Sequence, residues 1–504
     1  MHNIFFIKKY YQILAYFFIV ILYGTVGFFS PGYDDEFFNI NLIETYGIKS
    51  LSIVQTGDVH PPASYLINWI LYSLVNDWHI VRLLISIFSA ILIIKSISNI
   101  KITYGNTSFI IAFFLIALNP AILMWTTGLR WYAFFVPLLL WAFFVPNTQD
   151  WRYWAKCFGS LLILGYLGYA VIIVALPLIL FYWFNCEQDK VKKIKHFFIF
   201  GVISFLLYLP QILIFIKYHL PNKESQVFDI SSSFIGFLSA IFSNQGLFPL
   251  SIFGVISAIG FSGICCIYIY SLFMEINDKK LLKENYSLSF FLSIFLLIFT
   301  GLAGKLRNFL IVSPIQGLWI STIIKGIKFK KLFLVCVFLV SVGNIIGVVN
   351  VINHKDTTKN SWNLPINDLT KYLEKESSNC SNRFLVLSHD PVISNYLYLD
   401  KGYNSSSPFL IKSFNQPDLN KNYSCIFVIK TFQGSLSSNQ INDLYRAINE
   451  IKYLHKTEIK IGFDKYADIK RKINSDYPTY QMEVTKYSNP SDIKKLAIWN
   501  VSIM

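Results

Sequence analysis

Charge is scarce in this chain of 504 residues. Asp, Glu, Lys and Arg together make 14% of it, against the quarter usual for soluble domains. That scarcity, with 54% hydrophobic residues, 17% aromatics and recurrent long apolar runs, excludes an ordinary soluble protein and indicates a polytopic membrane protein. Acids are the scarcer sign, 29 against 44 Lys and Arg. The resulting net charge of +15 is not a nucleic-acid signature, because most lysines lie in short loops between apolar spans, where they set topology. Cysteine is sparse too, at seven. Cys157, Cys186, Cys265, Cys266 and Cys336 lie in or beside apolar spans, and no pair has metal-ligand spacing with histidines. No metal site is therefore read from the cysteines, and no cofactor is expected, with a divalent-metal requirement left open. Cys380 and Cys425 lie in the polar C-terminal region. They form a disulfide if that region is outside the cytoplasm, or else remain two buried thiols. The chain shows no internal repeat and no low-complexity segment.

What is present begins with Lys8 and Lys9 and an apolar run over Ile13–Phe29. No small-residue cleavage site follows, so the run reads as an uncleaved first span from a cytoplasmic N-terminus. Directly after it stands Ser-Pro-Gly-Tyr-Asp-Asp-Glu, residues 30–36. Pro31-Gly32 signals a turn, and Asp34 can cap a short helix whose first turn favours Asp35 and Glu36. Capping accounts for one or two acids better than for three. Acids at a membrane boundary are expensive unless they face water, a partner or a substrate, which makes the cluster a candidate site.

From Pro61 the apolar stretch is only about 15 residues where a span wants about 20, and it contains Asn68. Pro61-Pro62 suits a helix start. Residues 61–75 thus read as an amphipathic helix on the outer interface, and 35–46 as a shorter one. The predicted spans are then roughly 11–29, 79–98, 107–125, 129–146, 156–167, 170–185, 197–217, 250–274, 285–301, 307–324 and 332–351, eleven in all. This register places Lys95 and Lys101, Arg152 and Lys156, the Lys190–Lys195 cluster, Lys279–Lys283 and Lys325–Lys331 in the cytoplasm, as positive-inside topology requires. A single helix over 156–185 would be about 45 Å long, too long for one crossing. Gly165-Tyr166-Leu167-Gly168-Tyr169 is the predicted break. The C-terminus falls outside. Residues 352–504 are polar, with strand patterns at Arg383–Ser388, Cys425–Lys430 and Tyr477–Tyr487 and helix patterns at Asp368–Lys375 and Asn439–Lys452. The expected fold is an all-α membrane domain over 1–351, with outer-face interfacial helices, followed by a small soluble α/β domain over 352–504. The latter has no phosphate-binding glycine loop, catalytic triad pattern or metal motif.

The outward loops hold His60, Gly128-Leu129-Arg130-Trp131-Tyr132 and Lys305-Leu306-Arg307-Asn308 besides the acids. Acids with isolated cations on one membrane face suit a lipid-borne anionic substrate: the acids handle a proton and the cations hold phosphate oxygens. Singly, each cation also suits an interfacial anchor. In order along the chain stand an Asp-Glu pair after the first span, a His-Pro-Pro surface helix, Arg82-Leu83-Leu84, Asn119-Pro120 with Arg130-Trp131-Tyr132, and Arg307-Asn308-Phe309-Leu310 with Pro314. Over residues 1–350 this resembles the type-C membrane glycosyltransferases, particularly the group of protein O-mannosyltransferases and lipid A aminoarabinose transferases. One departure is Gly128, where relatives often carry an acid.

The resemblance implies a polyprenyl-phosphate-linked sugar donor used on the outer face, with inversion at the anomeric carbon. Phosphate leaves readily, so one carboxylate suffices as base, unlike the pair in a glycosidase. Motif alignment points to Asp35, with Asp34 and Glu36 as orienters, and to Arg130, Lys305, Arg307 and His60 as phosphate-binding residues. The expected partners are that donor, a glycan, lipid or protein acceptor, and membrane lipids, with no nucleic acid. An abundance of Ile, Lys, Asn and Phe suits an AT-rich bacterial genome, so the expected location is the bacterial cytoplasmic (inner) membrane, with an envelope glycan such as lipopolysaccharide O-antigen as acceptor. Two competing expectations are a flippase or transporter of lipid-linked saccharide and an envelope polysaccharide polymerase. Almost no ionisable residue falls inside a span, where a transporter would place its site.

Overall fold

The computed structural model describes residues 2–29, 34–57, 60–145, 148–219, 252–274, 286–299, 310–324, 326–327, 329–353, 366–380, 384–388, 405–406, 423–431, 455–461 and 482–493. The chain divides into two compact units. One comprises 1–30, 46–357 and 472–476, and the other 31–45, 358–471 and 477–504.

The first unit is helical. Its elements are α1 (His2–Phe29), α3 (Ser50–Gly57), α4 (Ala63–Val75), α5 (Trp78–Tyr104), α6 (Asn106–Ala112), α7 (Pro120–Thr126), α8 (Tyr132–Ala142), α9 (Trp151–Leu167), α10 (Val171–Asn185), α11 (Lys190–Ile214), α12 (Ile252–Met274), α13 (Tyr286–Phe299), α14 (Ser313–Ile323) and α15 (Lys330–Asn353). The acidic helix α2 (Asp34–Tyr46) falls almost wholly in the second unit. Among the described residues, five helices are long and apolar enough to cross a membrane, or six with the bent α6–α7 pair. Shorter apolar helices include α4, α8, α10 and the first thirteen residues of α13.

The expected single span over 107–125 is broken. A π turn at Phe113–Ala117 follows α6, and α7 leaves at 57°. The cause lies in two residues. Pro120 has no N–H to continue the ladder, and Asn119 caps the new helix, its Oδ1 accepting from Ala121 N at 3.0 Å and Ile122 N at 3.1 Å. The Phe114 carbonyl at the bend accepts from Asn344 Nδ2 of α15 at 2.9 Å. In a medium without water such a group must find an internal partner. The predicted 129–146 span is reduced to the eleven residues of α8. The predicted break between α9 and α10 is there: α9 stops at Leu167 and Gly168 is its C-cap.

Close packing between helices uses small residues, as in membrane bundles. Ser86 sits against Gly27 where α1 meets α5. Ser89 Oγ of α5 donates to Ala133 O of α8 at 2.8 Å. The helix α14 is buried at every position, and its Trp319 stacks on Phe290 of α13 with ring centroids 4.7 Å apart.

The second unit contains α16 (Ile366–Ser377) and a five-stranded mixed sheet of order β2-β1-β3-β5-β4, formed by Phe384–Ser388, Ser405–Ser406, Tyr423–Thr431, His455–Ile461 and Met482–Ile493, β1 to β5 in chain order. Strand β1 runs parallel to β3, and β5 antiparallel to it. Strand β4 had no counterpart in the sequence pattern, and the predicted 477–487 strand lies later, at 482–493. The predicted helix over 439–452 lies outside the described residues. Phe427 and Lys486 face each other across β3 and β5. Lys486 reaches Glu376 of α16 at 2.8 Å, and Tyr372 of the same helix packs edge-on against Phe427. Cys380, just past α16, is disulfide-bonded to Cys425 of β3 with Cα atoms 5.9 Å apart. Of the two alternatives for this pair, the structure has the bridge.

Candidate functional site

Helix α4 begins where Pro61-Pro62 leaves it, and Asn76, in the left-handed region at φ 51°, ends it. Its two faces are reversed relative to a soluble helix. Ser64, Tyr65 and Asn68 are buried, while Leu66, Ile70 and Leu74 are exposed. The spacing i, i+4, i+8 gives the exposed residues one apolar stripe. The polar face meets the segment that joins α7 to α8.

That segment, 127–131, is a tight non-helical turn. Thr126 and Thr127 hydroxyls close the end of α7 on the Ile122 and Leu123 carbonyls, at 2.7 and 2.9 Å. Asn68 Nδ2 donates to Leu129 O at 2.5 Å. The next residue, Arg130, is 5% exposed, and its Nη1 donates to Tyr65 Oη at 3.1 Å. Trp131 then stacks on Tyr132 with centroids 4.0 Å apart and lies 5.6 Å from the His60 ring. A guanidinium this far from water is costly unless it is paired, and in a membrane protein such a residue makes a candidate site.

Two of the predicted site residues, His60 and Arg130, are thus brought into one cluster around Trp131. Arg82 is also buried, near the start of α5, with its carbonyl accepting from Ser86 Oγ at 2.7 Å. Helix α2 starts at Asp34, so that Asp34, Asp35 and Glu36 fall in its first turn, and the Glu36 side chain is buried. Lys305 and Arg307 lie outside the described residues. Tyr65 was not singled out from sequence. Its signal was its place three residues before Asn68, a polar interruption of an apolar helix.

A partly open apolar cavity of about 280 Å³ adjoins the same helices. Its walls include Ala63 and Ile67 of α4, Phe88 of α5, Phe134 of α8, and Ile163 and Leu167 of α9. Ile67 is next in sequence to Asn68, and Leu167 is next to Gly168, which touches Trp131. Among the described residues, no group of three or more His, Cys, Asp or Glu could hold a metal ion.

No family model matches the chain, and no curated protein does. Among solved structures, the crystal structure of ArnT from Cupriavidus metallidurans bound to undecaprenyl phosphate is similar, with a TM-score of 0.52 and 9% sequence identity. The match covers 94% of this chain and 98% of that one. At this identity the likeness is one of fold: the chain is a helical, multi-pass membrane protein that shares the architecture of that ArnT structure.

Proposed function

We propose that this chain is an inverting glycosyltransferase. It moves a hexose from a polyprenyl-phosphate donor to a cell-envelope glycan, such as lipopolysaccharide O-antigen, on the outer face of the cytoplasmic membrane. The observation that carries the reading is the buried Arg130, held by Tyr65 and next in sequence to Trp131, which packs on His60; an apolar cavity is walled in part by the same helix α4. A lipid phosphate needs both a fixed cation and apolar surface. The likeness to a protein crystallised with undecaprenyl phosphate supports it.

In the proposed reaction an acceptor hydroxyl attacks the anomeric carbon from the face opposite phosphate. The new C–O bond forms as the bond from that carbon to the phosphate oxygen breaks. The electron pair leaves with polyprenyl phosphate. The hydroxyl proton passes to a carboxylate, assigned from the sequence motif to Asp35, with Asp34 and Glu36 as orienters. Arg130, with His60, Lys305 and Arg307, offsets charge gathering on the leaving phosphate. Eleven crossings, with 61–75 on the outer surface and the 352–504 domain outside, complete the proposal. The apolar outward stripe of α4 and the Cys380–Cys425 bridge support that side assignment.

Arg130→Ala tests the reading. Donor KM should rise tenfold or more while acceptor KM stays. Arg130→Lys should restore only part, because the planar fork is lost. Wild-type donor kinetics in Arg130→Ala would make the residue an interfacial anchor.

A further inference from the structure

The residues between α7 and α8 carry no regular hydrogen-bonded ladder, yet Arg130 must hold one orientation to serve a phosphate. Two contacts fix the backbone on either side of it. Before it, the Leu129 carbonyl is tied to Asn68 of α4. After it, the six-membered ring of the Trp131 indole packs against Gly168, the residue that ends α9. A Cβ at Gly168 would stand 2.7 Å from Trp131 Cε3 and 2.8 Å from Cζ3. Real side chains do not come that close. The indole has nowhere to retreat, since Tyr132 stacks on it and the Phe135 ring stands edge-on at 5.1 Å. Glycine is not needed here for its backbone angles, which are extended. It is needed for the space.

The two anchors are also costlier than packing requires. Asn68 Oδ1 and Trp131 Nε1 are buried and have no hydrogen-bond partner among the described residues. Leucine and phenylalanine would fill those places without leaving a buried polar atom unpaired.

We infer that Asn68 and the Trp131–Gly168 contact are positioning elements for Arg130. The break between α9 and α10 thereby serves as the seat on which the phosphate-binding turn is set. This rests on the reading of Arg130 as a phosphate ligand. Neither Asn68 nor Gly168 touches the donor in this account; both act through Arg130.

The test is binding of undecaprenyl phosphate to the full chain in lipid nanodiscs. Arg130→Ala should weaken binding at least tenfold. Gly168→Ala should weaken it by a similar factor, since displacements of about an ångström at a binding group are enough. Adding Trp131→Phe to Gly168→Ala removes the ring atoms that collide and should recover most of the loss, which general loss of stability would not do. Asn68→Ala, which adds no volume, should weaken binding several-fold, and it decides the matter if Gly168→Ala does not fold. Wild-type binding by Arg130→Ala would overturn the phosphate reading itself. Weak binding by Arg130→Ala with wild-type binding by Gly168→Ala or Asn68→Ala would overturn the positioning inference alone. So would a double variant no better than Gly168→Ala.

Discussion

A guanidinium that is 5% exposed and donates to a phenol sets the terms at the scale of single residues. Tyr65 is uncharged, so it orients Arg130 without cancelling its charge. A hydrogen bond to a charged group contributes about 1.5–3 kcal/mol. Tyr65→Phe keeps the ring and removes only that oxygen. Donor KM should rise roughly tenfold, each 1.4 kcal/mol being a factor of ten, with little change in kcat. Steady-state kinetics with donor varied at saturating acceptor would show it, and an equal fall in kcat would give Tyr65 a role in the chemistry instead. The sequence made Arg130 visible as an isolated outward cation and His60 as the start of a surface helix. Tyr65 and Gly168 were not visible as parts of a site, because a tyrosine in an interfacial helix and a glycine at a helix break are both ordinary. What they touch depends on tertiary packing alone.

Helices that bend or stop early decide the architecture at the next scale. Apolar runs identify spans by hydropathy, and hydropathy is blind to a 57° bend inside a run. The break at 118–119 was nonetheless written in Asn119-Pro120, a cap followed by a residue that starts helices and cannot continue them. By contrast, the α9–α10 break was legible, because one uninterrupted helix would have been too long. Strand β4, His455–Ile461 in the structure, alternates Lys456, Glu458 and Lys460 with Thr457, Ile459 and Ile461, and two apolar positions are too few to stand out from a polar region. At this scale Asn119→Ala is informative. Loss of an N-cap costs about 1 kcal/mol, here at the pivot of a buried bend. The thermal unfolding midpoint of the purified protein should fall by a few degrees, while Asn119→Ser, which keeps an uncharged capping acceptor, should lie nearer wild type. An unchanged midpoint in Asn119→Ala would mean that Pro120 alone holds the bend.

For the whole molecule the question is which way the chain faces and what passes through it. The lysine clusters predict that a cysteine at Asn76 reacts with an impermeant thiol reagent from outside intact cells and one at Lys193 does not; the reverse pattern would invert the topology. The fold resembles that of a protein crystallised with undecaprenyl phosphate, yet fold does not fix chemistry, and a flippase would handle the same lipid without cleaving it. The most direct measurement is therefore donor turnover. The purified full chain in nanodiscs is supplied with undecaprenyl-phosphate-linked hexoses and an envelope glycan fraction, and free undecaprenyl phosphate is quantified against sugar transferred. The account predicts equimolar release and transfer with at least one hexose, and a fall of roughly 10²–10⁴ in rate for Asp35→Asn, the range for loss of a general base, with donor binding kept. Binding of the lipid-linked sugar without any release of undecaprenyl phosphate, for every hexose tried, would contradict it.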